Sequence, residues 1–200
     1  MDNNAADSPS SPQTHLLHTT WMLWREGGNN RPSAETTADE WCTRLTLVTK
    51  LTSVEEFWRL YNNIQPLSVL PIGMSLNLFK KDIKPLWEDT ANNEGGRWYF
   101  RLEKPRHSSN FSNYTSQVQE TWLYIILSLI GNTIDDNNLI CGGVVSIRAR
   151  ETRFMIWTRK GEHSQIMDIG KAIKKHLKYC THLLYRQHSD RRRTTKALYC

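Results

Sequence analysis

A tryptophan and a glutamate stand side by side in a polar stretch near the middle of the chain. The segment KPLWEDTANNEGGRW, residues 84–98, places Trp87 next to Glu88 and continues with polar residues and a Gly-Gly pair. This composition is typical of a loop, where neither side chain is easily buried. The face of an indole attracts cations and a carboxylate accepts hydrogen bonds, so the pair could bind a flat cationic ligand with donors along one edge. The alternative is an aromatic side chain that only packs at the surface.

A second indole, that of Trp41, follows another polar loop, residues 25–40. Two indoles from separate loops could stack on both faces of a nucleic-acid base, at ~1–3 kcal/mol per base. The N1–H and the exocyclic amine of guanine lie on one edge of the base, where Glu88 could accept hydrogen bonds from both. Methylation of guanine at N7 makes the ring cationic, which strengthens the stacking and makes N1–H a better donor. The pattern therefore favours N7-methylated guanine as the ligand.

Arginines are concentrated in a predicted β-hairpin, residues 140–159. If Glu151-Thr152 form its two-residue turn, Arg150 lies opposite Arg153, and side chains alternate between the two faces of each strand. One face then carries three arginines and an aromatic side chain, namely Arg148, Arg150, Arg153 and Trp157. Arginines bind phosphates through paired N–H donors, so this face is a candidate phosphate site. The alternative is a strand face that is only solvated.

The distribution of charge also indicates an anionic partner. Residues 148–200 contain 14 Lys and Arg against 4 Asp and Glu, whereas residues 1–147 contain 12 against 16. Nucleic acid or another phosphate compound is the first candidate partner for a basic C-terminal quarter. A solvated basic helix face followed by a basic tail would give the same counts.

Several classes of function are not favoured by the sequence. It contains no nucleophile–base pair, metal-ligand spacing or Gly-rich phosphate loop, so we expect neither an enzyme nor a cofactor or metal site. His188 falls near a predicted loop and is expected to be solvated. The scattered cysteines, the acidic Ser/Pro-rich N-terminus and the short apolar run 122–130 favour a soluble intracellular protein in a reducing compartment. We expect a monomer, located in the cytoplasm alone or in the cytoplasm and nucleus.

The predicted strands alternate with three helices. These helices extend over about residues 52–65, 118–130 and 164–178, and residues 105–117 are predicted to be a loop. Thr52 and Glu55 have the spacing of a capping box at the start of the first helix. Each helix has one apolar stripe, which is the pattern of an α+β domain whose curved, mostly antiparallel sheet carries helices on one face. Residues 1–14 are expected to form a disordered tail, and residues 15–200 a single domain.

The first helix has a second, smaller apolar stripe. Phe57, Leu60 and Ile64 form the stripe expected to face the core, whereas Val54 and Trp58 lie four residues apart on a different face. Trp58 could therefore be an exposed anchor for a partner, or it could pack at the periphery of the core. The spacing leaves both interpretations open.

Six segments occur in an order that resembles the eukaryotic translation initiation factor 4E family, whose members bind the cap of messenger RNA. The segments are HLLHTTWMLW, VEEFWRLYNNIQ, LFKKDIKPLWED, GGRWYF, CGGVVSIRAR…IWT and YRQHSD…TTK. The resemblance extends over about residues 15–200. It implies a single domain in which an eight-stranded, curved antiparallel sheet is backed by three helices on its convex face.

The resemblance also implies roles for individual residues. Trp41 and Trp87 would sandwich 7-methylguanine, and Glu88 would bind its Watson–Crick edge. Trp157 would contact the N7 methyl group. The residues implied in binding the triphosphate are Arg97, Arg148, Arg150 and Arg153. Those implied in binding a helix with a tyrosine and a leucine, from the scaffold factor 4G or from repressors, lie on the opposite surface and are His15, Val54, Trp58, Leu123 and Leu127. We further hypothesise phosphate contacts from Arg191, Arg192 and Arg193.

The function implied by the resemblance is a bridge from capped messenger RNA to a 4G-type scaffold that promotes translation initiation. Two alternatives remain at this point. One is a cap-binding repressor or a paralogue that binds scaffolds weakly, and the other is a general single-stranded RNA-binding module. Binding of a scaffold peptide separates the first two functions, whereas a preference for N7-methylated guanosine excludes the third.

Overall fold

The computed structural model describes residues 13–27, 43–189 and 198–199. Its strands are β1 (Leu16–Glu26), β2 (Leu45–Ser53), β3 (Ser75–Lys80), β4 (Gly96–Glu103), β5 (Ile140–Ile147), β6 (Glu151–Thr158), β7 (Leu184–Gln187) and β8 (Leu198–Tyr199). Its helices are α1 (Val54–Asn63), α2 (Phe111–Ile130) and α3 (His163–His176). The predictions for Trp41, for residues 1–12 of the tail and for Arg191, Arg192 and Arg193 concern residues outside these ranges.

The strands pair antiparallel in one open sheet, in the order β2-β1-β3-β5-β6-β4-β7-β8. In the described ranges, seven strands of 4 to 11 residues form the body of the sheet, and β8 adds 2 residues at one edge. The predicted α+β fold, with a curved antiparallel sheet and three helices, is confirmed.

The helices pack against one face of the sheet, and the main core lies between the two layers. One buried apolar cluster contains Trp98 and Phe100 of β4, Phe57 of α1, Ile125 of α2 and Ile169 of α3. Removing such side chains from water is the main favourable term in folding, at ~25 cal/mol per Å² of apolar surface. Because side chains alternate along a strand, every second residue of the central strands points to the other face of the sheet. That face carries the candidate site.

Helix α2 begins earlier than the sequence predicts, at Phe111 rather than near residue 118. The segment that precedes residue 118 is polar, but Tyr114 and Val118 lie one helical turn apart and are both buried. The hydroxyl of Tyr114 also forms a 2.7 Å hydrogen bond with the hydroxyl of Thr152 on β6. The prediction of a loop over residues 105–117 is therefore wrong for its second half, because two tertiary contacts outweigh the polar composition.

The predicted capping pair at the start of α1 is displaced by one residue. Ser53, not Thr52, is the N-cap, and its hydroxyl oxygen accepts a hydrogen bond from the Glu56 N–H. The carboxylate of Glu56 accepts hydrogen bonds from both the backbone N–H and the hydroxyl of Thr52. Side chains thus cap the start of the helix as expected, and Glu56 takes the capping role that was predicted for Glu55.

The hairpin of β5 and β6 differs from the prediction in its register. Ile147 pairs with Thr152, and the Arg148 N–H donates to the Glu151 carbonyl, so the turn contains Ala149 and Arg150. The prediction of Glu151-Thr152 as the turn is wrong, because the Thr152 hydroxyl is anchored by the buried hydrogen bond to α2. Arg150 is exposed in the turn and does not line the cleft described below. The predicted register differs from the observed one by four residues along β5. Because four is an even number, the face of the sheet predicted for the remaining side chains is unchanged.

Candidate functional site

A cleft of about 1310 Å³ lies on the face of the sheet opposite the helices. Its walls include residues from the central strands and from the loop between β3 and β4. Six of the residues implied in cap binding line it, namely Trp87, Glu88, Arg97, Arg148, Arg153 and Trp157. These residues come from the loop between β3 and β4, from strands β4 and β6, and from the position directly after β5, so the fold brings together groups that are up to 70 positions apart in the sequence.

Trp87 and Glu88 lie in the loop between β3 and β4, as the sequence predicts. The Trp87 side chain is 45% exposed, and its indole N–H donates to Oε1 of Glu88. This contact fixes the carboxylate relative to the ring. Among the described residues, no Lys or Arg forms an ion pair with Glu88. Oε2 and the second lone pair of Oε1 are therefore available to donors of a ligand.

Asp89 fixes the backbone around this pair. Its two carboxylate oxygens accept hydrogen bonds of 2.9 Å from the backbone N–H groups of Lys84 and Ala91. Asp and Asn commonly close loops in this way, by bonding to nearby backbone groups. The residues that precede and follow Trp87 and Glu88 are thereby joined. The sequence WEDTANN contains this signal, although no role was predicted for Asp89.

Asn92 holds the same loop from its buried side. Its amide Nδ2 donates to the carbonyl of Lys84 at 2.9 Å and to that of Leu86 at 2.7 Å, and the residue is fully buried. We expect Asn92→Ala to lower the free energy of unfolding by about 1–3 kcal/mol, because a fully buried side chain and its two hydrogen bonds, one of them buried, are lost. Ligand affinity should fall as well, since the loop is no longer fixed.

Chemical denaturation of the Asn92→Ala variant measures this effect. Asn93→Ala is the matched control, because Asn93 is the exposed neighbour in the same loop. Equal unfolding free energies for the two variants would contradict a positioning role for Asn92.

Trp157 forms part of the cleft on β6. Its ring contacts Phe79 edge to face, with centroids 5.4 Å apart, and lies 4.2 Å from the ring of His188. In the sheet it stands directly opposite Arg97 of β4. Trp157 is half-buried, so packing fixes one side of the indole while another part of it faces the cleft.

Two predicted phosphate-binding arginines are held in place by neighbouring groups. Nη1 of Arg148 donates to the Gly73 carbonyl at 3.2 Å, and burial lowers the pKa of this arginine while the charge of Glu26 opposes the shift. Nε of Arg153 donates to Oε1 of Glu151. These bonds use only part of each guanidinium, which has five N–H donors. Donors on both side chains thus remain for an anion in the cleft.

Glu151 and Arg101 were not predicted to contribute to the site. Oε2 of the buried Glu151 lies 3.3 Å from Nη1 of Arg101, so one carboxylate joins two arginines. Arg101 stands directly opposite Arg153 across β4 and β6. Like charges in such a cross-strand pair are destabilising unless an anion lies between them. This pairing joins β4 and β6, which are distant in the sequence, so the sequence alone did not reveal it.

His188 is buried, with 5% of its surface exposed, so the prediction that it is solvated is wrong. Its Nδ1 lies 3.1 Å from Nη1 of Arg97. A guanidinium only donates hydrogen bonds, so Nδ1 accepts and the proton of the neutral ring is on Nε2. Burial, and secondly the charge of Arg97, lower the pKa of His188 to about 3. His188 is therefore a neutral support beneath Arg97 and Trp157.

This lowered pKa leads to a prediction about acid stability. In the unfolded chain the imidazole binds a proton below its ordinary pKa of 6.5, whereas in the folded chain it does so only near pH 3. Its contribution to stability is thus complete above pH 6.5 and is lost as the pH falls towards 3. The expected slope from this group is about 1.4 kcal/mol per pH unit.

Urea denaturation between pH 7 and pH 4 measures this slope. His188→Asn should remove the contribution, so that stability falls less steeply with acid than in the wild type. His107→Asn, which changes an exposed histidine, should keep the wild-type slope. Identical slopes for all three proteins would contradict the assignment.

The residues implied in partner binding lie on the other side of the molecule. Val54 is 36% and Trp58 40% exposed on α1. The Trp58 ring packs against Phe57 and edge-on against Tyr61, whose hydroxyl accepts a hydrogen bond from Gln119 of α2 at 2.9 Å. The half-buried Leu123 and Leu127 follow on α2. We call Val54, Trp58, Leu123 and Leu127 the helical patch.

His15 is attached to the start of α1. Its carbonyl accepts a 2.9 Å hydrogen bond from the Val54 N–H, and its Nδ1 lies 2.7 Å from the carboxylate of Glu55. The hydrogen bond from His15 lowers the pKa of Glu55 to about 2. His15 therefore fixes the N-terminal strand beside the helical patch.

In the described ranges no helix is long and apolar enough to cross a membrane. Nor do these ranges contain a group of three or more His, Cys, Asp or Glu that could hold a metal ion. Burial raises the pKa of Cys141 to about 11, so this thiol is protonated near neutral pH and is a weak nucleophile.

Comparisons with known proteins agree with the resemblance noted in the sequence. The profile of the family described as "Eukaryotic initiation factor 4E" matches residues 16–199. Initiation factor 4E of Homo sapiens is 33% identical over 192 residues, which cover 94% of this chain and 82% of the human protein. Initiation factor 4E1 of Drosophila melanogaster is 34% identical over 179 residues, which cover 88% of this chain and 63%, just under two thirds, of that relative.

Two nematode proteins are among the solved structures of similar fold. The C. elegans protein eIF4E-3, solved in complex with the 4E-binding protein Mextli, superposes with a TM-score of 0.80 at 30% identity, covering 93% of this chain and 100% of that one. The Ascaris suum eIF4E-3, solved with an m7G cap, gives a TM-score of 0.78 at 30% identity. The match covers 92% of this chain and 96% of the Ascaris chain. The same Ascaris protein was solved with an m2,2,7G cap.

Proposed function

Because the chain belongs to the eukaryotic initiation factor 4E family, we propose that it binds the 7-methylguanosine cap of messenger RNA and bridges it to a scaffold protein. The observation that carries the proposal is the pairing of Trp87 with Glu88 at the edge of a cleft whose other end is lined by arginines. The complex of the Ascaris protein with an m7G cap supports the ligand. The complex of the C. elegans protein with Mextli supports a protein partner.

The base is proposed to lie against the exposed face of Trp87. Glu88 accepts hydrogen bonds from N1–H and the exocyclic amine of guanine, both of which lie on one edge of the ring. The positive charge of an N7-methylated base strengthens both its stacking on the indole face and its hydrogen bonds to the carboxylate. An unmethylated guanine is neutral and lacks both effects. Trp157 is the proposed contact of the methyl group, and Trp41, on the family resemblance, is the second stacking indole.

The triphosphate is proposed to extend from the base across the strands to the arginines. Arg97, Arg148 and Arg153 all line the cleft. Arg97 lies on β4 and Arg153 on β6, and Arg148 directly follows β5. Guanidinium groups bind phosphate oxygens through two parallel hydrogen bonds, and contacts with neighbouring groups already fix the orientation of these three side chains. Little side-chain entropy is then lost on binding.

The helical patch is proposed to receive an amphipathic helix that carries a tyrosine and a leucine. Exposed aromatic and aliphatic side chains at helical spacing are the usual groove for such a helix. Simultaneous binding at both faces would recruit a 4G-type scaffold to capped messages in the cytoplasm and so promote initiation. The sheet separates the two faces, so neither ligand blocks the other.

Co-retention on immobilised m7GTP tests the bridge. The protein should be retained and should in turn retain a fluorescent scaffold peptide, whereas a peptide with both its tyrosine and leucine changed to alanine should pass through. Retention of the protein without the peptide would contradict the bridging role and favour a cap-binding repressor. In a cap-dependent translation extract, the bridging protein should raise the yield from capped messages and a repressor should lower it.

A further inference from the structure

The cleft is larger than the proposed cap site requires. Its volume of about 1310 Å³ exceeds the roughly 300–1,000 Å³ typical of a site for one small ligand. The extra space follows the edge of β4. Strand β7 pairs with β4 only from Gly96 to Tyr99, and among the described strands none covers that edge from Phe100 to Glu103. The cleft continues there to Lys178, Thr181 and His182.

This additional part of the cleft is basic. Arg186 of β7 stands directly opposite Arg97 of β4, and both side chains line the cleft. Burial, and secondly the charge of Arg186, lower the pKa of Arg97, so the two cations repel each other. In the described part of the chain, neither one forms an ion pair with a carboxylate. Two adjacent cations without an acidic partner form a binding site for an anion.

An aromatic side chain and a further cation complete this region. Tyr99 of β4 lies between Arg97 and Arg101 on the cleft side of the strand, and it is half-buried, so its orientation is fixed by packing. Lys178 is exposed at the far end, where its Nζ lies 5.1 Å from the ring of Tyr179. Cations interleaved with aromatic rings are the usual composition of a surface that binds single-stranded nucleic acid. We call Tyr99, Lys178 and Arg186 the basic extension.

We propose that the basic extension binds the first nucleotides that follow the cap, with phosphodiester groups at Arg186 and Lys178 and one base stacked on Tyr99. The inference rests on the proposed function, because the capped end must occupy the adjoining part of the cleft. RNA fits the observations better than an acidic peptide does, because a flat ring beside two cations offers both stacking and phosphate contacts. A capped oligonucleotide should therefore bind more tightly than m7GTP alone.

Fluorescence titration with m7GTP and with an m7G-capped hexanucleotide tests this proposal. For the wild type, the capped hexanucleotide is expected to bind about tenfold more tightly at low salt, with a steeper salt dependence. In the double variant Lys178→Gln/Arg186→Gln this advantage should disappear. The affinity of this variant for m7GTP should fall less than its affinity for the hexanucleotide, because Arg186 stands beside Arg97 at the proposed triphosphate site, whereas m7GTP has no phosphate beyond the cap for Lys178 to neutralise.

Lys174→Gln/Lys175→Gln is the matched control, because it removes two exposed cations from α3, which contributes no residue to the cleft. It should keep the advantage of the capped hexanucleotide. Equal wild-type affinities for m7GTP and the hexanucleotide, or equal losses in the two double variants, would overturn the inference while the cap site stands. A wild type that does not bind m7GTP would overturn the proposed function itself.

Discussion

Replacing Glu88 with glutamine is expected to weaken m7GTP binding by about 2–4 kcal/mol, which is roughly a 30- to 700-fold loss of affinity. The carboxylate is proposed to accept two hydrogen bonds from a cationic base. A glutamine amide offers one acceptor, places an N–H₂ group against the remaining donor and removes the charge. Its oxygen can still accept from the Trp87 indole, so the loop should keep its shape and the loss should reflect the base contact.

Glu94→Gln is the matched control for this variant. Glu94 lies in the same loop, and its exposed carboxylate is 3.4 Å from Nζ of Lys160, so a change there removes the same charge at the surface. Its m7GTP affinity should be close to that of the wild type. Isothermal titration of the three proteins measures the difference. If Glu88→Gln binds m7GTP as tightly as Glu94→Gln, Glu88 does not bind the base.

Replacing Trp58 with alanine is expected to abolish binding of the scaffold peptide while leaving m7GTP binding unchanged. A tryptophan at the centre of an interface commonly contributes about 2 kcal/mol or more. Trp58 is 40% exposed and packs only its inner side against Phe57 and Tyr61, so removing it should cost the fold little. The sheet lies between this residue and the cleft, so the cap site should not change.

Phe111→Ala is the comparison for this prediction. Phe111 is 43% exposed at the start of α2, outside the helical patch. The Phe111→Ala variant should bind the scaffold peptide as tightly as the wild type does. If Trp58→Ala loses both ligands and unfolds at lower urea concentration, Trp58 is a structural residue. If it retains the peptide, the partner binds elsewhere.

The faces of the strands could be predicted from the sequence even where their pairing could not. The alternation of β6 places Arg153 and Trp157 on the side opposite the buried Phe154. An error of an even number of residues in the hairpin preserves this alternation. The position of the turn was beyond sequence reasoning, because it depends on the contact of Thr152 with α2. Arg150 was assigned to the cleft for that reason.

Other residues of the site could not be predicted, because their neighbours in the structure come from segments that are distant in the sequence. His188 follows β7 in a segment with ordinary loop composition, yet the fold buries it between Arg97 and Trp157. The ion pairs of Glu151 with Arg101 depend on strand pairing between distant segments. The loop that carries Trp87 and Glu88 was predictable, because its Asp, Asn and Gly residues are all local signals of a turn.

The ratio of affinities for m7GTP and GTP, measured by quenching of intrinsic tryptophan fluorescence, tests the central claim most directly. The two ligands differ only in the methyl group and the charge that it places on the ring. If an indole and a carboxylate bind a cationic base, m7GTP should bind at least about tenfold more tightly than GTP, since contact of a desolvated cation with an aromatic face alone is worth about 2 kcal/mol. Equal affinities would show that the cleft binds only phosphates and would contradict a cap-binding function.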